Sequence, residues 1–449
     1  MRLLVSVFIL ILPVVAGGQS VLDDYVSYGL ENNLVLQQKQ SDYKRSIEAL
    51  KEARGLFYPR LIFNARYSVA DGGRVIDFPI GEMLNPVYST LNNLTASNAF
   101  PQVENMQFRF LRPTEHETYM RIFQPLVNSD IYFNSKIKKE LLYFEDEDVN
   151  QYKRELVDEI KKAYYNAASA GGILYMLKET RKLLVENIRA NKKLIENDKV
   201  TLDYLYRSEA ELSKFDQELQ NAGKNKIVAC AYFNFLLNKP LDDTIILAEP
   251  DTFPSLADFT SDFRQSALEN REELKKLESF SNISDLKIKM DQAGKLPDLF
   301  IAVDYGFQGT KYRFNMDNDY VIASAVLSWN LFSGFQNRAR IRQSQAEKEI
   351  ADSKLEEARK QIELQVVSTI NELLAAEKGI LAAEMRIKNA REAFRLVNRK
   401  FEEGQASLLE YIDARTSMTQ AEENLIVSRF SYLSCFSEFE KVTAINIQE

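Results

Sequence analysis

Histidine is almost missing from this sequence: His116 is the only one among 449 residues. That excludes a metal site built from several imidazoles, and it leaves a Ser-His-Asp nucleophile short of its usual base. Cysteine is nearly as scarce, with Cys230 and Cys435 alone, so there is no disulfide framework. Their surroundings, VACAYF and YLSCFS, read as two thiols packed among apolar side chains, with pairing open only in an oxidising compartment. Glycine runs of the G-x-G-x-x-G or G-x-x-x-x-G-K-[ST] kind, which cradle phosphates, are absent. Positive charge is not in excess: 57 Lys and Arg stand against 65 Asp and Glu, a net charge of −8. A nucleic-acid binder needs a basic face, so that class is excluded. No catalytic residue, metal ligand or cofactor follows from what remains, and the chain reads as a non-enzyme.

Two further absences organise the molecule. Residues 126–239 and 298–449 contain no proline, and helix formers dominate both stretches. Past the N-terminus no run of 18 apolar residues occurs, so no transmembrane helix is predicted. Residues 1–18, MRLLVSVFILILPVVAGG, place one positive charge before an apolar run and end on small residues. This is the pattern of a cleaved secretory signal peptide.

The remainder is duplicated. Leu30-Glu31-Asn32 recurs as Leu268-Glu269-Asn270 and Pro59 as Pro297, both at an offset of 238. Further along, Leu126 pairs with Leu331 and Cys230 with Cys435 at an offset of 205, because the excursion at 70–118 is longer than that at 308–320. The predicted organisation is a first repeat over 19–240, a linker over 241–262 carrying Pro250 and Pro254, and a second repeat over 263–449. Each repeat reads helix, strand, loop, strand and long helices, with the long loop at 72–117 in the first.

The long helices carry a seam. Val366, Leu373, Ile380, Ile387, Phe394 and Phe401 recur every seven residues, with Thr369, Ala376, Ala383, Ala390 and Val397 three residues after the first five. Large knobs alternating with small residues predict close, left-handed coiled-coil packing. Ile160 to Ile188 repeats the pattern more weakly, interrupted at Arg181. The strands, by contrast, alternate with a period of two. Strands are predicted over 61–70, 299–308 and 321–331, and a weaker one at 118–126 where Met120 and Ile122 oppose Arg121. About ten residues with one apolar face fits a transmembrane β-barrel strand, and also a half-buried soluble sheet. Four strands leave two open edges, which lipid does not tolerate. If these strands span a bilayer, several copies of the chain must close one barrel.

At this point the sequence resembles a known family. ALEN at 267–270, the helix-to-strand Pro297, SWNLFSGFQNRARIRQSQAE at 328–347 and FEEGQASLLEYIDARTSMTQAEENL at 401–425 are similar to the outer membrane efflux proteins, the TolC-like trimeric channels. The resemblance implies a mainly helical fold with a membrane β-barrel: a homotrimer whose twelve strands form the barrel and whose twelve helices form a periplasmic tunnel. It implies an outer membrane location, contact with outer membrane lipid, and partners in a periplasmic adaptor (a membrane fusion protein) and an inner membrane transporter of the RND or ABC type. The implied function is a passive exit duct for efflux or type I secretion; the competing reading is a periplasmic coiled-coil adaptor or scaffold without a barrel.

The family's helical hairpin tips meet the adaptor, which carries over to Gly404, Ser407 and Leu408 in the second repeat and to Val200 and Thr201 in the first. Its paired acids at the closed entrance align with Glu410 and Asp413, three apart and so on one helix face. In a trimer they would stack as two acidic rings, which select cations. A family member often has a basic residue two positions after the glycine; here Ala406 stands there, so the associated polar lock is not implied.

Overall fold

The computed structural model describes residues 18–198, 200–248, 253–255 and 262–445. The signal peptide read at 1–18 lies outside the described residues but for Gly18, as does much of the 241–262 linker. In chain order the elements are α1 (Gly18–Asn32), α2 (Leu34–Gly55), β1 (Arg60–Val69), β2 (Val75–Phe78), α3 (Ile80–Thr95), β3 (Met106–Arg109), β4 (Thr114–Val127), α4 (Ser129–Glu196), α5 (Leu202–Leu236), α6 (Phe263–Asn270), α7 (Glu272–Ala293), β5 (Asp298–Gly309), β6 (Asp319–Ser328), α8 (Gln336–Glu402) and α9 (Leu408–Thr443). Moved by 238 residues, α2 coincides with α7; moved by 205, α4 and α5 fall within two residues of α8 and α9. The chain divides into two compact units, one of residues up to 47, 139–284 and 346 onward, the other of 48–138 and 285–345.

The second unit holds a four-stranded antiparallel sheet in the order β1-β4-β5-β6. Its register lines up Leu61, Ile122, Val303 and Ala323, and then Phe63, Met120, Tyr305 and Val321. Alternation puts all of these on one face, the apolar face expected from the period of two. The other face is polar. Arg121 grips Asp304 through two 2.7 Å hydrogen bonds, Arg66 lies 3.2 Å from Glu117, and the Tyr320 hydroxyl donates to Glu117 at 3.2 Å. β1 and β6 are left as edges, so their outward backbone groups have no strand partner within the chain.

Gly306 of β5 sits opposite Tyr119 of β4. A Cβ there would lie 2.3 Å from the Tyr119 Cβ and 2.5 Å from the Thr118 carbonyl oxygen. Neither is a flexible side-chain end, so Gly306→Ala must push the two strands apart. The substitution is expected to cost about 2–3 kcal/mol or more, as overpacking does. Protease protection of residues 298–328 checks it; unchanged protection would refute the close approach.

Three expectations are corrected. The weak strand begins at Thr114, earlier than the apolar pattern suggested, and tolerates Pro125 at a register shift between Pro125 and Val127. The strand predicted over 321–331 stops at Ser328, because the Trp329 indole donates to the Lys295 carbonyl at 2.9 Å and the chain turns towards α8. The excursion at 72–117, expected as a long loop, contains the β2–β3 pair and the sixteen-residue α3. Asparagine, which suggested a loop, does the building here. Asn85 and Asn92 each donate to and accept from the backbone, Asn85 at Val103 and Asn92 at Phe100, pinning the return arm along α3.

In the first unit the seam residues are interior. Val366, Leu373, Ala383 and Ile387 are buried, as are Ile160, Ala167, Leu177 and Leu184 on α4. Arg181, the interruption in that pattern, turns aside to Asp216 at 2.6 Å. Helix breaks are polar and filled. Asn33 between α1 and α2 accepts from the Val35 and Leu36 amides and donates to the Leu236 carbonyl; Arg271, between α6 and α7, bonds Glu273 and Gln365. Cys230 and Cys435 are half-buried free thiols, each held above the usual thiol range by burial.

Asp148 of α4 accepts from Lys39 of α2 at 2.6 Å and also from Lys276 of α7. Burial by itself would raise its carboxyl, but the hydrogen bonds from Lys276 and Lys39 prevail and hold it below the ordinary carboxylate range. A carboxyl lowered in the folded state adds stability above its unfolded pKa of about 3.9, and that contribution is lost as pH falls through the lower folded value. Asp148→Asn is therefore expected to be less stable than the natural chain at neutral pH, with the gap closing below about pH 4. Thermal unfolding of both across pH 3–7 tests this; a gap independent of pH would refute it.

Candidate functional site

Each pair of long helices in the first unit turns at a tip, and the two tips solve the same geometric problem with different residues. After α8, Gly404 adopts a left-handed backbone at φ +74°. Its amide donates to the Phe401 carbonyl at 3.0 Å, and the Gln405 amide to that of Lys400 at 2.7 Å. This pair of bonds closes the helix end, and glycine meets the φ requirement without a Cβ penalty. After α4 the corresponding residue is Asp198, at φ +55°, whose amide donates to Ile195 at 2.9 Å. An acidic residue does there what glycine does in the other tip, as short polar side chains are able to.

Both tips restart on a hydroxyl residue. Thr201 is the N-cap of α5 and turns its side chain to Asp203. Ser407 is the N-cap of α9, and its Oγ accepts from the Glu410 amide at 3.2 Å while the Glu410 carboxylate accepts from the Ser407 amide at 2.8 Å. This reciprocal capping box gives Glu410 a local structural role in addition to the predicted acidic ring. Asp413, one turn on, is exposed. The structure thus brings Gly404, Ser407, Leu408, Glu410 and Asp413 together at one tip, and Val200 and Thr201 at the other. Gly404, Ser407 and Thr201 are exposed and Val200 is partly so. Leu408 faces inward at 2% exposure, and its neighbour Leu409, at 66%, is the apolar side chain that this tip presents.

Sequence reasoning passed over the layer behind the tips. Tyr411 is buried against Phe401 and Phe394, with ring centroids 4.9 and 5.5 Å away. Burial raises its hydroxyl above the usual range, opposed by Arg415 and a hydrogen bond with Asn187. Arg415 is 2% exposed, donates to Glu211 of α5 at 2.6 Å and lies over the Phe215 ring. Among the described residues its Nε and Nη1 have no hydrogen-bond partner. Across from it, the fully buried Asn191 donates to Ser208 at 2.8 Å. The signal was present in the spacing: Leu408, Tyr411, Arg415 and Thr419, three, four and four residues apart, fall on one helix stripe, and a cation on such a stripe marks a specific buried pairing.

Among the described residues no cluster of His, Cys, Asp or Glu is arranged to hold a metal ion, and no helix is long and apolar enough to cross a membrane; the second fact has no bearing on strands.

Residues 263–434 match the family model of the outer membrane efflux protein. The alkaline protease secretion protein AprF of Pseudomonas aeruginosa is 20% identical over 337 residues, 73% of this chain and 70% of AprF. The pyoverdine export outer membrane protein OpmQ of Pseudomonas putida is 25% identical over 140 residues, 30% of this chain and 29% of OpmQ. The solved outer membrane protein VceC of Vibrio cholerae superposes with a TM-score of 0.76 at 13% identity, over 95% of this chain and 97% of that one. At that identity the superposition speaks for the fold.

Proposed function

We propose that this chain, whose residues 263–434 belong to the outer membrane efflux protein family, is one of three identical subunits of a passive exit duct. It is an outer membrane protein of the efflux and secretion channel type, with long helices in the periplasm. The observation that carries the reading is the four-stranded sheet: one face apolar, the other lined with ion pairs, and both edges open. A chain alone cannot expose those edges to lipid, whereas three copies joined β6 to β1 close a cylinder of twelve strands with the ion pairs inside. Nine helices among the described residues include the four long ones, α4, α5, α8 and α9, that would continue the cylinder as a twelve-helix tunnel.

The tips then form the periplasmic entrance. Gly404, Ser407, Leu409, Val200 and Thr201 would meet a periplasmic adaptor, with Leu408 supporting the turn from inside, and an inner membrane transporter of the RND or ABC type would supply the energy. Glu410 and Asp413 would ring the constriction. A coiled-coil adaptor without a barrel gives no account of the sheet's apolar face, so it is the weaker reading.

The test is assembly. The purified chain is expected to have the mass of three protomers and to make vesicles leaky, and cysteines placed on β1 and β6 should cross-link between chains in the outer membrane fraction. A water-soluble monomer that leaves vesicles tight would overturn the proposal.

A further inference from the structure

The exit-duct reading places lipid around the sheet, and one end of that sheet has the chemistry to recognise a particular lipid. β1 and β5 begin, and β4 and β6 end, at the same end: Arg60 pairs with Phe123 and Asp298 with Ser328. Tyr58, Tyr132, Trp329, Phe332 and Phe335, just outside the strands there, are all exposed. Such rings mark the level of a membrane interface. A cleft of about 420 Å³ opens among Phe57, Leu126, Tyr132, Phe133 and Leu296, of a size and apolarity that suits an acyl chain.

Beyond the rings, α4 and α8 carry cations near their starts. α4 carries Lys136 and Lys138, and α8 carries Arg338, Arg340 and Arg342 with no acidic residue in its first turn. Arg338 and Arg342 are four residues apart and so share one face of α8, with Arg340 on the other. Among the described residues none of the five makes an ion pair, and Lys136 lies 4.5 Å over the Tyr132 ring. All three arginines are exposed. The pattern occurs at the corresponding place in both repeats, although the residues differ.

We infer that Arg338 and Arg342, with Lys136, form a docking surface for the anionic headgroups of phospholipids in the periplasmic leaflet, the aromatic rings setting the depth and the cleft taking a chain. Arginine suits phosphate because its planar donors bind two oxygens at once. Cations at a membrane surface gain from anionic lipid.

The full-length protein is reconstituted in vesicles of phosphatidylethanolamine and phosphatidylglycerol at about 3:1, repurified, and its retained lipid measured by mass spectrometry. The natural chain is expected to retain phosphatidylglycerol at least about threefold above the bulk ratio. Arg338→Gln/Arg342→Gln should fall to the bulk ratio, and the matching arginine-to-lysine double variant should keep most of the enrichment. Bulk-ratio retention by the natural chain, or enrichment unchanged in the glutamine variant, would overturn the inference. If inorganic phosphate abolishes the enrichment, the surface binds free anions and the lipid assignment falls. Because this rests on the exit-duct reading, trimer mass and vesicle leakage are recorded on the same samples. A leaky trimer without enrichment defeats this inference alone, while a protein that never inserts defeats the reading beneath it.

Discussion

Glu211→Leu is expected to destabilise the helical unit by about 3–5 kcal/mol, the largest stability loss predicted for any surface-accessible change in this chain. Glu211 is the sole anion paired with Arg415 in the described structure, at 2.6 Å, and the arginine side chain is 2% exposed against 19% for the glutamate. Arg415 is already short of partners at Nε and Nη1. Removing the carboxylate would leave a buried charge without its counterion. Glu211→Gln keeps an acceptor for the guanidinium and should cost less. The double variant Glu211→Leu/Arg415→Met removes both charges and should recover most of the loss, since replacing a whole buried pair by apolar groups is close to neutral. Chemical unfolding of the four proteins, followed by helical circular dichroism, gives the cycle. A loss below about 1 kcal/mol in Glu211→Leu would mean that Arg415 finds another partner, and the pairing would then carry no weight.

That buried pair also marks where sequence reading stops. The seam at Val366, Leu373 and Ile387 was legible because burying apolar side chains on one helix stripe demands a fixed period, and the same holds for the two strand faces. Gly404 and Ser407 were legible because a left-handed turn and an N-cap each select a few residue types. Asp198 was not, since its left-handed backbone rests on a residue that most often sits elsewhere. Nor was α3, whose asparagines read as loop formers until their long-range bonds to Phe100 and Val103 are seen. Arg415 needed the partner helix α5 to become interpretable. Periodic burial is written locally; a polar side chain's role depends on what it faces, and that is decided across the fold.

Glu410 and Asp413 separate for the same reason, and the separation gives the second large effect. Both acids were read as ring formers, yet the Glu410 carboxylate also accepts from the Ser407 amide at 2.8 Å, whereas Asp413 is exposed. In the proposed trimer, three Asp413 carboxylates each about 7 Å from a passing ion would contribute roughly 0.6 kcal/mol apiece in water, before salt screens them. Together they favour a cation over a neutral solute by about 20-fold. Asp413→Asn should therefore move the reversal potential of the reconstituted channel, measured across a salt gradient in a planar bilayer, most of the way towards zero. Glu410→Gln keeps an oxygen for the Ser407 amide and should shift it less. Ser407→Ala loses about 1 kcal/mol of helix capping and leaves the charge, so its reversal potential should match the natural chain. An unaltered reversal potential in Asp413→Asn would remove the acids from the constriction and leave Glu410 as a helix cap alone.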